Sequence, residues 1–507
     1  MEILIGLDVG TTGVRALAID AASGSFVRQS VAEYDILTPK PGWTEQDPGA
    51  WGRASMRVLA EIADGIDGQV VGLGLAGQMH GSVFLDAADR PIRPALLWND
   101  QRTGRQCEEI VDRIGAAELV RATGNPALTG FQAPKILWLR DEEPDHYAQV
   151  ASVLLPKDYV RLLLTGDRAT DASDASGTLL LDIARRAWST EVLEALEIPE
   201  QWLPTVYEGP EATGVLRDDV AAELGLPAGL PVAAGGGDNA AAAFGVGVAT
   251  QGQLSSSIGT SGVLFAPTDG FAPDPSGRVH AFCHALPGAF HLMAVTLSAG
   301  GSLRWWRSVC GDVSFDDLVA EAETAPPGSE GLVFLPYLTG ERTPHLDARA
   351  RGAFVGLTVR HDRAAMTRAV MEGVVLAMRD GLEIIRGLGV EVEQVRLVGG
   401  GARSRLWRQL QADVFGVPVH RTSADEGPAY GAALLGGVAA GVYATPAEAL
   451  ARVQEREDVV DPDRSAVARY EELHAIYGPL YQAMRGGMLS LADFADATAD
   501  PAALRRR

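Results

Sequence analysis

Lysine, cysteine and asparagine are the residues that this sequence has least of, with three of each among 507 residues. The cysteines, Cys107, Cys283 and Cys310, are odd in number and scattered, and no CxxC or Cys/His metal-ligand spacing occurs. This pattern excludes a disulfide framework and a structural zinc site, and it is typical of a reducing cytoplasm. The N-terminal region carries an acid at Glu2, and Asp8 interrupts its apolar run. We therefore expect no secretory signal peptide and a cytoplasmic protein.

The few lysines also exclude one class of nucleotide-binding protein. Lys40, Lys135 and Lys157 each follow a proline, and none lies in a GxxxxGK[ST] motif, so a P-loop NTPase is excluded. Residues 72–77 (GLGLAG) have the dinucleotide-binding GxGxxG spacing. They fall inside a strand-like run, and no helix begins at their end, so we interpret the pattern as a false match.

Positive charge is in deficit, since the formal net charge is −23. This argues against a nucleic-acid or membrane partner, and a phosphate ligand would be held by backbone amides and a metal ion. One uncharged stretch, residues 427–447, is long enough to cross a bilayer. It consists mostly of Gly and Ala with prolines near both ends, so we interpret it as a buried, closely packed helix.

A strand–turn–strand pattern occurs twice, half a chain length apart. In the first copy a turn at residues 10–13 (GTTG) separates two apolar stretches, and in the second a turn at residues 259–262 (GTSG) does the same. Two matching contexts indicate a duplicated domain. A chain of 507 residues is also too long for one core, because single cores stop growing at about 250–300 residues.

Strands alternate with helices between and after the two copies, which predicts an α/β fold with mixed sheets. We place the domain boundary just before the second copy. Residues 1–245 then form the N-terminal domain, and residues 246–485 form the C-terminal domain. Residues 486–507 are rich in Ala and Asp and end in three arginines, so we expect a disordered tail.

The two Gly/Thr turns are candidates for holding phosphate groups. A tight turn between two strands presents consecutive backbone N–H groups, and threonine hydroxyls add donors. Asp8 lies at the end of the first strand, where a carboxylate suits Mg²⁺ with its retained waters, whereas Ser257 occupies the matching position of the second copy. Either turn alone is equally well an ordinary hairpin turn, and only the pair favours phosphate binding.

Three further motifs carry candidate functional residues. Asp238 follows a strand and three glycines, where it is a helix N-cap, a general base, or both. Residues 399–402 (GGGA) lie between a strand and a helix, as a ligand-binding turn or a plain connection. Met79 and His80 leave a buried strand and are candidates for substrate contacts, although a lone loop histidine is more often only solvated.

Several longer motifs resemble those of the FGGY carbohydrate kinases, which belong to the sugar kinase, heat-shock and actin-like ATPase fold. The resemblance extends to about residue 485 and is carried by residues 42–48 (GWTEQDP), 76–81 (AGQMHG), 97–100 (LWND), 155–159 (LPKDY), 236–239 (GGDN) and 340–344 (GERTP). It implies two actin-like (ribonuclease H-like) domains with mixed sheets flanked by helices, and an active site in the interdomain cleft. Within the family, the motifs are most similar to those of members that phosphorylate D-xylulose.

The resemblance also implies a role for individual residues. Asp238 would accept the hydroxyl proton, and Asp8 would be a catalytic carboxylate near the metal ion, Mg²⁺. The implied substrate contacts are Met79, His80, Trp98, Asp238 and Asn239, with Phe131 also lining the pocket. The implied nucleotide contacts are Thr11, Thr12, Gly259, Thr260, Gly300, Gly400, Gly401 and Ala402.

The implied reaction is the transfer of the γ-phosphoryl group of ATP to D-xylulose, which gives D-xylulose 5-phosphate. Two alternatives stay open. One is a kinase for another ketopentose or a pentitol. The other is a non-metabolic actin-like ATPase that acts on a protein partner. The sequence has no evident peptide-binding extension, which argues against this second alternative. The oligomeric state, a homodimer included, is left open by the sequence.

Overall fold

The computed structural model describes residues 1–422, 427–453 and 455–499. By their contacts, the residues form two compact units, each assembled from three separate stretches of the chain. The first unit contains Met1–Thr250, Pro267–Leu292 and Thr422–Gln454, and the second contains Gln251–Ala266, Met293–Arg421 and Glu455–Arg507. The predicted domain boundary near residue 245 stays a prediction.

The strands of the described residues are short in the loops and long in two central sheets. They are β1 (Glu2–Val9), β2 (Gly13–Asp20), β3 (Phe26–Glu33), β4 (Glu45–Gln46), β5 (Gln69–Gly77), β6 (Val83–Leu85), β7 (Ala95–Leu96), β8 (Ser152–Leu154), β9 (Ala169–Asp171), β10 (Leu181–Asp182), β11 (Ala187–Trp188), β12 (Thr205–Tyr207), β13 (Ala212–Val215), β14 (Pro231–Ala233), β15 (Gly236–Gly237), β16 (Gly252–Ile258), β17 (Gly262–Thr268), β18 (His280–Cys283), β19 (Phe290–Thr296), β20 (Val333–Leu335), β21 (Ala353–Val355), β22 (Val392–Val398), β23 (Val419–Thr422) and β24 (Glu455–Val460).

The helices of the same ranges include one of 25 residues and several of four to eight. They are α1 (Pro48–Asp64), α2 (Gly104–Ile114), α3 (Ala116–Thr123), α4 (Gln132–Glu142), α5 (Pro144–Tyr147), α6 (Pro156–Thr165), α7 (Ala172–Ala175), α8 (Thr190–Leu196), α9 (Asp218–Leu224), α10 (Asp238–Gly245), α11 (Gly300–Val309), α12 (Phe315–Thr324), α13 (Arg363–Gly387), α14 (Arg405–Phe415), α15 (Gly427–Ala439), α16 (Pro446–Leu450), α17 (Arg464–Tyr477) and α18 (Leu480–Ala499). Short 3₁₀ helices occupy Ser176–Thr178, Glu200–Trp202, Ser329–Gly331 and Gly400–Arg403.

The central sheet of the first unit is mixed and has the strand order β13-β14-β5-β1-β2-β3. Strand β1 pairs antiparallel with β2 and parallel with β5, and β15 also pairs parallel with β5. Both faces of β1 are buried, because Ile3, Ile5 and Leu7 pack in the same core as Trp51 and Val58 of α1, whereas α15 covers the opposite face. Burial on both faces explains why β1 is a nearly continuous apolar run.

Glycines in this sheet allow α15 to approach its backbone. A Cβ added at Gly74 would lie 1.8 Å from the carbonyl oxygen of Ala432, and one added at Gly6 would lie 1.8 Å from that of Ala429. The glycines of residues 72–77 therefore serve helix packing inside β5, and the rejection of a dinucleotide-binding motif is confirmed. The predicted buried helix is confirmed as α15, and among the described residues no helix is long and apolar enough to span a membrane.

Both predicted hairpins are confirmed, but their turns differ in length. In the first hairpin Val9 pairs with Val14, which leaves the four residues 10–13 in the turn. In the second hairpin Ile258 pairs with Gly262, which leaves the three residues 259–261. The two copies are thus similar in sequence, while the second turn is tighter by one residue.

The second unit has its own mixed sheet around β16. Strand β16 pairs antiparallel with β17 and parallel with β22, and β22 pairs parallel with β23. The predicted strand before residue 399 and the predicted helix after residue 403 are confirmed as β22 and α14. Ser404 caps α14, because its hydroxyl accepts a hydrogen bond from the Trp407 amide at 3.4 Å.

The C-terminal segment is helical where disorder was expected. Helix α18 continues to Ala499, so the prediction of a disordered tail is wrong for residues 486–499, and residues 500–507 lie outside the described residues. Alanine, leucine and methionine have high helix propensity, and Met488 and Ala492 of this segment are buried. An Ala-rich composition was therefore better evidence for a helix than for disorder.

Candidate active site

Three parallel strands of the first sheet end at one edge. Asp8, near the end of β1, pairs with Ala76 of β5, and Gly236 of β15 pairs with the same Ala76. Residues that follow the carboxyl ends of parallel strands emerge at the same edge of a sheet, which is where α/β proteins bind ligands. The register therefore brings Asp238 and the segment after β5 beside Asp8, although the sequence predicted them from three separate motifs.

The two aspartates influence each other. Burial raises the pKa of Asp8 to about 7, the charge of Asp238 adds to this rise, and Arg15 opposes it. Burial also raises the pKa of Asp238 to about 6. Asn239 opposes the second shift, because its backbone N–H and its side-chain Nδ2 donate to Asp238 Oδ1 at 2.7 and 2.9 Å.

Asp238 is the first residue of α10 rather than its N-cap, which is Gly237. Its carboxylate accepts hydrogen bonds from the next residue, Asn239, and does not form the usual capping bond further along the helix. Of the two interpretations of Asp238 that the sequence left open, the N-cap is thus wrong. The general-base role stays a prediction.

One carboxylate oxygen of Asp8 is an unsatisfied hydrogen-bond acceptor. Its Oδ1 is buried and has no hydrogen-bond partner among the described residues. A cation, or a water bound to one, would supply that partner, so Asp8 fits Mg²⁺. Within residues 1–422, 427–453 and 455–499, no group of three or more His, Cys, Asp or Glu side chains could hold a metal ion. Mg²⁺ usually retains waters and phosphate oxygens beside one or two carboxylates, so this chemistry suits an ion carried by a triphosphate.

His80 is fixed in a strained conformation and is not a solvated loop histidine. It is the central residue of a γ-turn, with φ of +70° and a hydrogen bond of 2.9 Å from the Gly81 amide to the Met79 carbonyl. Such backbone strain costs about 1–3 kcal/mol and persists only where the surroundings enforce it. Here His80 Nδ1 lies 2.7 Å from the Gly177 carbonyl oxygen, and the ring packs edge-on against Phe131.

A buried lysine holds the backbone of the same turn. Lys135 is fully buried, and its Nζ donates to the carbonyl oxygens of His80 and Gly130 at 2.8 and 2.5 Å. Burial lowers the pKa of Lys135 to about 7, although Asp100 attracts its charge. No sequence motif indicates this role, because only the folded chain brings residue 135 to residue 80.

The first Gly/Thr turn is held by side chains from other segments. Trp98 Nε1 donates to Thr11 Oγ1 at 3.0 Å, and Gln46 Nε2 donates to the Thr11 carbonyl at 2.6 Å. Gln78 Nε2 donates to the Gly10 carbonyl at 3.2 Å. Trp98 therefore contacts Thr11, and its predicted contact with a sugar stays a prediction. Gln46 is not among the predicted site residues, although it belongs to the family motif at residues 42–48.

In the second unit, most of the predicted nucleotide residues line one pocket. Its volume is about 640 Å³, and its lining includes Gly259, Thr260, Gly300, Gly400 and Gly401. A pocket of this volume accommodates a ligand of nucleotide size. The Gly300 amide donates to the Gly259 carbonyl at 2.8 Å. A Cβ at Gly300 would lie 2.4 Å from that oxygen, which is why the start of α11 requires glycine.

Other residues of this pocket were missed by the sequence analysis. They include the apolar residues Leu303, Phe315, Val319 and Trp407, the basic residues Arg304, Arg403 and Arg405, and the acidic residues Asp316 and Glu323. Apolar groups suit a nucleobase and cations suit phosphates, so the pocket has both kinds of lining that a nucleotide needs. Of the remaining predicted nucleotide residues, Ala402 is buried, whereas Thr12 is exposed in the first unit.

Family models match most of the chain. Residues 3–245 match the N-terminal domain of the FGGY family of carbohydrate kinases, and residues 254–440 match its C-terminal domain. The chain belongs to the FGGY carbohydrate kinases. Membership implies ATP-dependent phosphoryl transfer with a sugar and ATP as substrates. It also confirms the predicted two-domain, actin-like ATPase-type fold with mixed sheets flanked by helices.

Relatives of this FGGY kinase include enzymes with named substrates. The xylulose kinase of Escherichia coli is 43% identical over 480 residues, which cover 94% of this chain and 98% of the relative. The crystal structure of a "xyloylose kinase" from Brucella ovis is 42% identical, with a TM-score of 0.90 and coverage of 96% and 99%. The gluconate kinase of Lactobacillus acidophilus is 28% identical, with a TM-score of 0.91 and coverage of 95% and 98%. Overall structure alone therefore does not decide which sugar is phosphorylated.

Proposed function

We propose that this FGGY kinase is a cytoplasmic xylulokinase, which transfers the γ-phosphoryl group of ATP to D-xylulose and releases D-xylulose 5-phosphate and ADP. The observation that carries the proposal is the half-buried carboxylate of Asp238 at the sheet edge that also bears Met79 and His80. The identity of 43% to a xylulose kinase over nearly the whole chain supports the choice of sugar.

Asp238 acts as the general base in this proposal. Its ionised carboxylate accepts the proton of the sugar hydroxyl as that oxygen attacks the γ-phosphorus, while the bond from phosphorus to the β–γ bridging oxygen breaks and ADP leaves. The two hydrogen bonds from Asn239 stabilise the ionised form and orient its Oδ1. Asp238 then returns the proton to solvent as the product leaves.

Asp8 would hold Mg²⁺ through its unpartnered Oδ1. When bound, the ion neutralises charge on the phosphoryl group that is transferred. Asp8 itself has a raised pKa of about 7, and a nearby cation would favour its ionised form.

The substrate-binding roles divide between the two predicted domains. In residues 1–245, Met79, His80, Trp98 and Asn239 bind the sugar, and Thr11 and Thr12 supply donors to phosphate oxygens. In residues 246–485, the nucleotide is bound by Gly259, Thr260, Gly300, Gly400, Gly401 and Ala402. The pocket around Gly400 supports the second assignment, because it offers space, apolar residues and basic residues together.

A substrate panel tests the proposed function. ADP release from Mg-ATP is measured with D-xylulose, D-ribulose, xylitol and D-gluconate, and ³¹P NMR identifies the phosphorylated position. We expect the highest kcat/KM with D-xylulose and phosphorylation at its 5-hydroxyl. A higher kcat/KM with one of the other compounds would reject D-xylulose as the substrate. ADP release that no sugar accelerates would reject sugar kinase activity in favour of a non-metabolic ATPase.

Replacing the base tests the mechanism. Asp238→Asn keeps the shape of the side chain but removes its basicity, so kcat should fall by roughly 100-fold or more. The KM for ATP should stay near that of the parent, since most of the predicted nucleotide residues line the pocket of the second unit. Asp218→Asn, at an exposed helix start, is the control and should change neither constant. Full turnover by Asp238→Asn would reject Asp238 as the base.

A further inference from the structure

Helix α6 carries three charged side chains that are completely buried. Lys157, Asp158 and Arg161 have no exposed surface, and neither has Asp171, which precedes α7. Lys157 Nζ lies 2.5 Å from Asp158 Oδ1 and 2.7 Å from Asp171 Oδ2. A buried ion pair is weak evidence for stability, because the charges lose their hydration. The role of this cluster is therefore sought in the backbone groups to which its side chains are hydrogen-bonded.

One branch of the cluster leads to the strand that precedes Asp238. The guanidinium group of Arg161 donates to the carbonyl oxygens of Ala233 and Ala234 at 2.9 and 2.6 Å. These residues are the last of β14 and the first after it. Arg161 thus fixes the backbone four to five residues before the aspartate.

A second branch leads to the residue directly before Asp238. Asp171, which is paired with Lys157, accepts hydrogen bonds from both the amide and the hydroxyl of Ser173. The Ser173 hydroxyl in turn accepts the amide N–H of Gly237 at 3.0 Å. Because its own proton is used toward Asp171, this hydroxyl presents a lone pair to Gly237. The chain of contacts runs from Lys157 through Asp171 and Ser173 to the backbone of Gly237, the residue before the base.

Side-chain packing cannot fix this backbone, since Gly236 and Gly237 have no side chains. A Cβ at position 237 would lie 3.0 Å from Cγ of Met79, so a larger residue would displace that side chain. Glycine avoids this crowding, and a backbone without side chains is more flexible. The hydrogen bond to Ser173 supplies the restraint that a side chain would otherwise give.

The same short segment also contacts the sugar-side residues. Ser173 lies in α7, and the 3₁₀ turn Ser176–Thr178 follows it directly. The Gly177 carbonyl of this turn lies 2.7 Å from His80 Nδ1. A Cβ at Gly177 would lie 3.1 Å from Cε of Met79. One buried segment therefore contacts both the Gly237 amide, directly before Asp238, and the two residues assigned to the sugar.

We propose that Ser173 is a positioning residue for the general base, and that it acts by fixing the Gly237 amide and hence the direction of the Asp238 carboxylate. Asp171 and Lys157 orient the Ser173 hydroxyl. The inference rests on the proposed function, because Ser173 can position the general base only if Asp238 is that base.

Ser173→Ala is the direct test, and Ser176→Ala is its matched control. Both serines are 1% exposed, both lie in the same segment, and each accepts one backbone amide at 3.0 Å, Gly237 for Ser173 and Cys283 for Ser176. Both variants should therefore lower Tm by a similar amount. Only Ser173→Ala should lower kcat, by about 10- to 100-fold, because small misplacements of a reacting group are costly. KM values for D-xylulose and ATP should change by less than about threefold in both.

A second variant separates the hydrogen bond from packing. Ser173→Cys fills the site, but sulfur is a weak acceptor, so its kcat should stay close to that of Ser173→Ala. Recovery of the parent kcat by Ser173→Cys would show that volume matters and would overturn the inference. Equal losses of kcat in Ser173→Ala and Ser176→Ala would overturn it as well, since they would indicate general destabilisation.

Double variants show whether Ser173 acts through Asp238. Residues that act as one unit have non-additive effects on kcat. In the Asp238→Asn background, Ser173→Ala should lower kcat no further, whereas independent effects would multiply and overturn the inference. The two proposals fail in distinguishable ways. Full turnover by Asp238→Asn would reject the proposed base and the positioning role together, and a loss in Asp238→Asn with none in Ser173→Ala would reject the positioning role alone.

Discussion

Asp8 and Asp238 share one half-buried site, so the protonation of each depends on the other. Groups that interact in this way titrate with apparent pKa values that belong to the pair. Burial favours the neutral forms, and Asn239 favours the ionised form of Asp238. The activity of the enzyme therefore depends on the pH at which Asp238 becomes protonated and can no longer accept a proton.

We predict an acid limb in the pH profile of kcat/KM for the sugar. The pKa of Asp238 is raised to about 6, and the base is active only when deprotonated. Activity should thus be constant above that pH and fall about tenfold per unit below it. Asn239→Ala removes one hydrogen bond to the ionised carboxylate, which raises its pKa, so the limb should move to higher pH. A limb that stays in place or moves to lower pH would contradict this account of Asn239.

The strained turn at His80 permits a clean test of the imidazole. His80→Gly removes the side chain at a position where φ is +70° and relieves backbone strain at the same time. A buried sugar hydroxyl that loses its partner costs about 1–3 kcal/mol, so kcat/KM for D-xylulose should fall by roughly 5- to 150-fold. The KM for ATP should not change.

Asp89→Gly is the control for that prediction. It also replaces a residue at positive φ, +59°, in the turn between Asp86 and Arg90. This variant should change neither kcat/KM for D-xylulose nor the KM for ATP. A His80→Gly variant impaired only toward ATP would move His80 to the nucleotide side.

At the scale of elements, α15 is placed by glycines of the first sheet. Gly74→Ala would put a Cβ 1.8 Å from the Ala432 carbonyl, so helix and sheet must separate. Overpacking of this kind costs about 1–3 kcal/mol and occasionally more, and urea unfolding should show the loss. Gly104→Ala is the control, because a Cβ there meets nothing within 4 Å and reduces the entropy of the unfolded chain. It should be neutral or stabilise the protein by about 0.4–1 kcal/mol. Equal stability of the two variants would contradict the packing role of Gly74.

For the molecule as a whole, the sugar is assigned to residues of the first compact unit, and most of the nucleotide contacts are assigned to the second. Gly400 lines the pocket of the second unit, and a Cβ there meets nothing within 4 Å. Gly400→Val should therefore fold normally while occupying space that the nucleotide needs. We expect the KM for ATP to rise at least about tenfold, as for the loss of roughly 1.4 kcal/mol of binding, with the KM for D-xylulose unchanged. A rise in the sugar KM alone would contradict the assignment of this pocket, and an unchanged Tm would show that the fold is intact.

Features that depend on neighbouring residues could be predicted from the sequence alone. Alternation and turn chemistry predicted both hairpins, the glycine-rich connection from β22 to α14 and the buried α15, because a chain's local period reports directly on which side is buried. The motifs also identified the family, since each is a short continuous stretch. Local rules failed at α18, where a composition typical of disorder was also that of a helix.

Contacts between residues far apart in the sequence hold the site together. His80 meets the Gly177 carbonyl across 97 positions, Lys135 reaches the His80 carbonyl across 55, and Ser173 accepts the Gly237 amide across 64. No periodicity in a single sequence reports contacts at such separations. The raised pKa values of Asp8 and Asp238 likewise come first from burial, which exists only once the sheet edge has formed. Sequence thus named the reacting groups, and the long-range contacts of the folded chain set their positions and their charge.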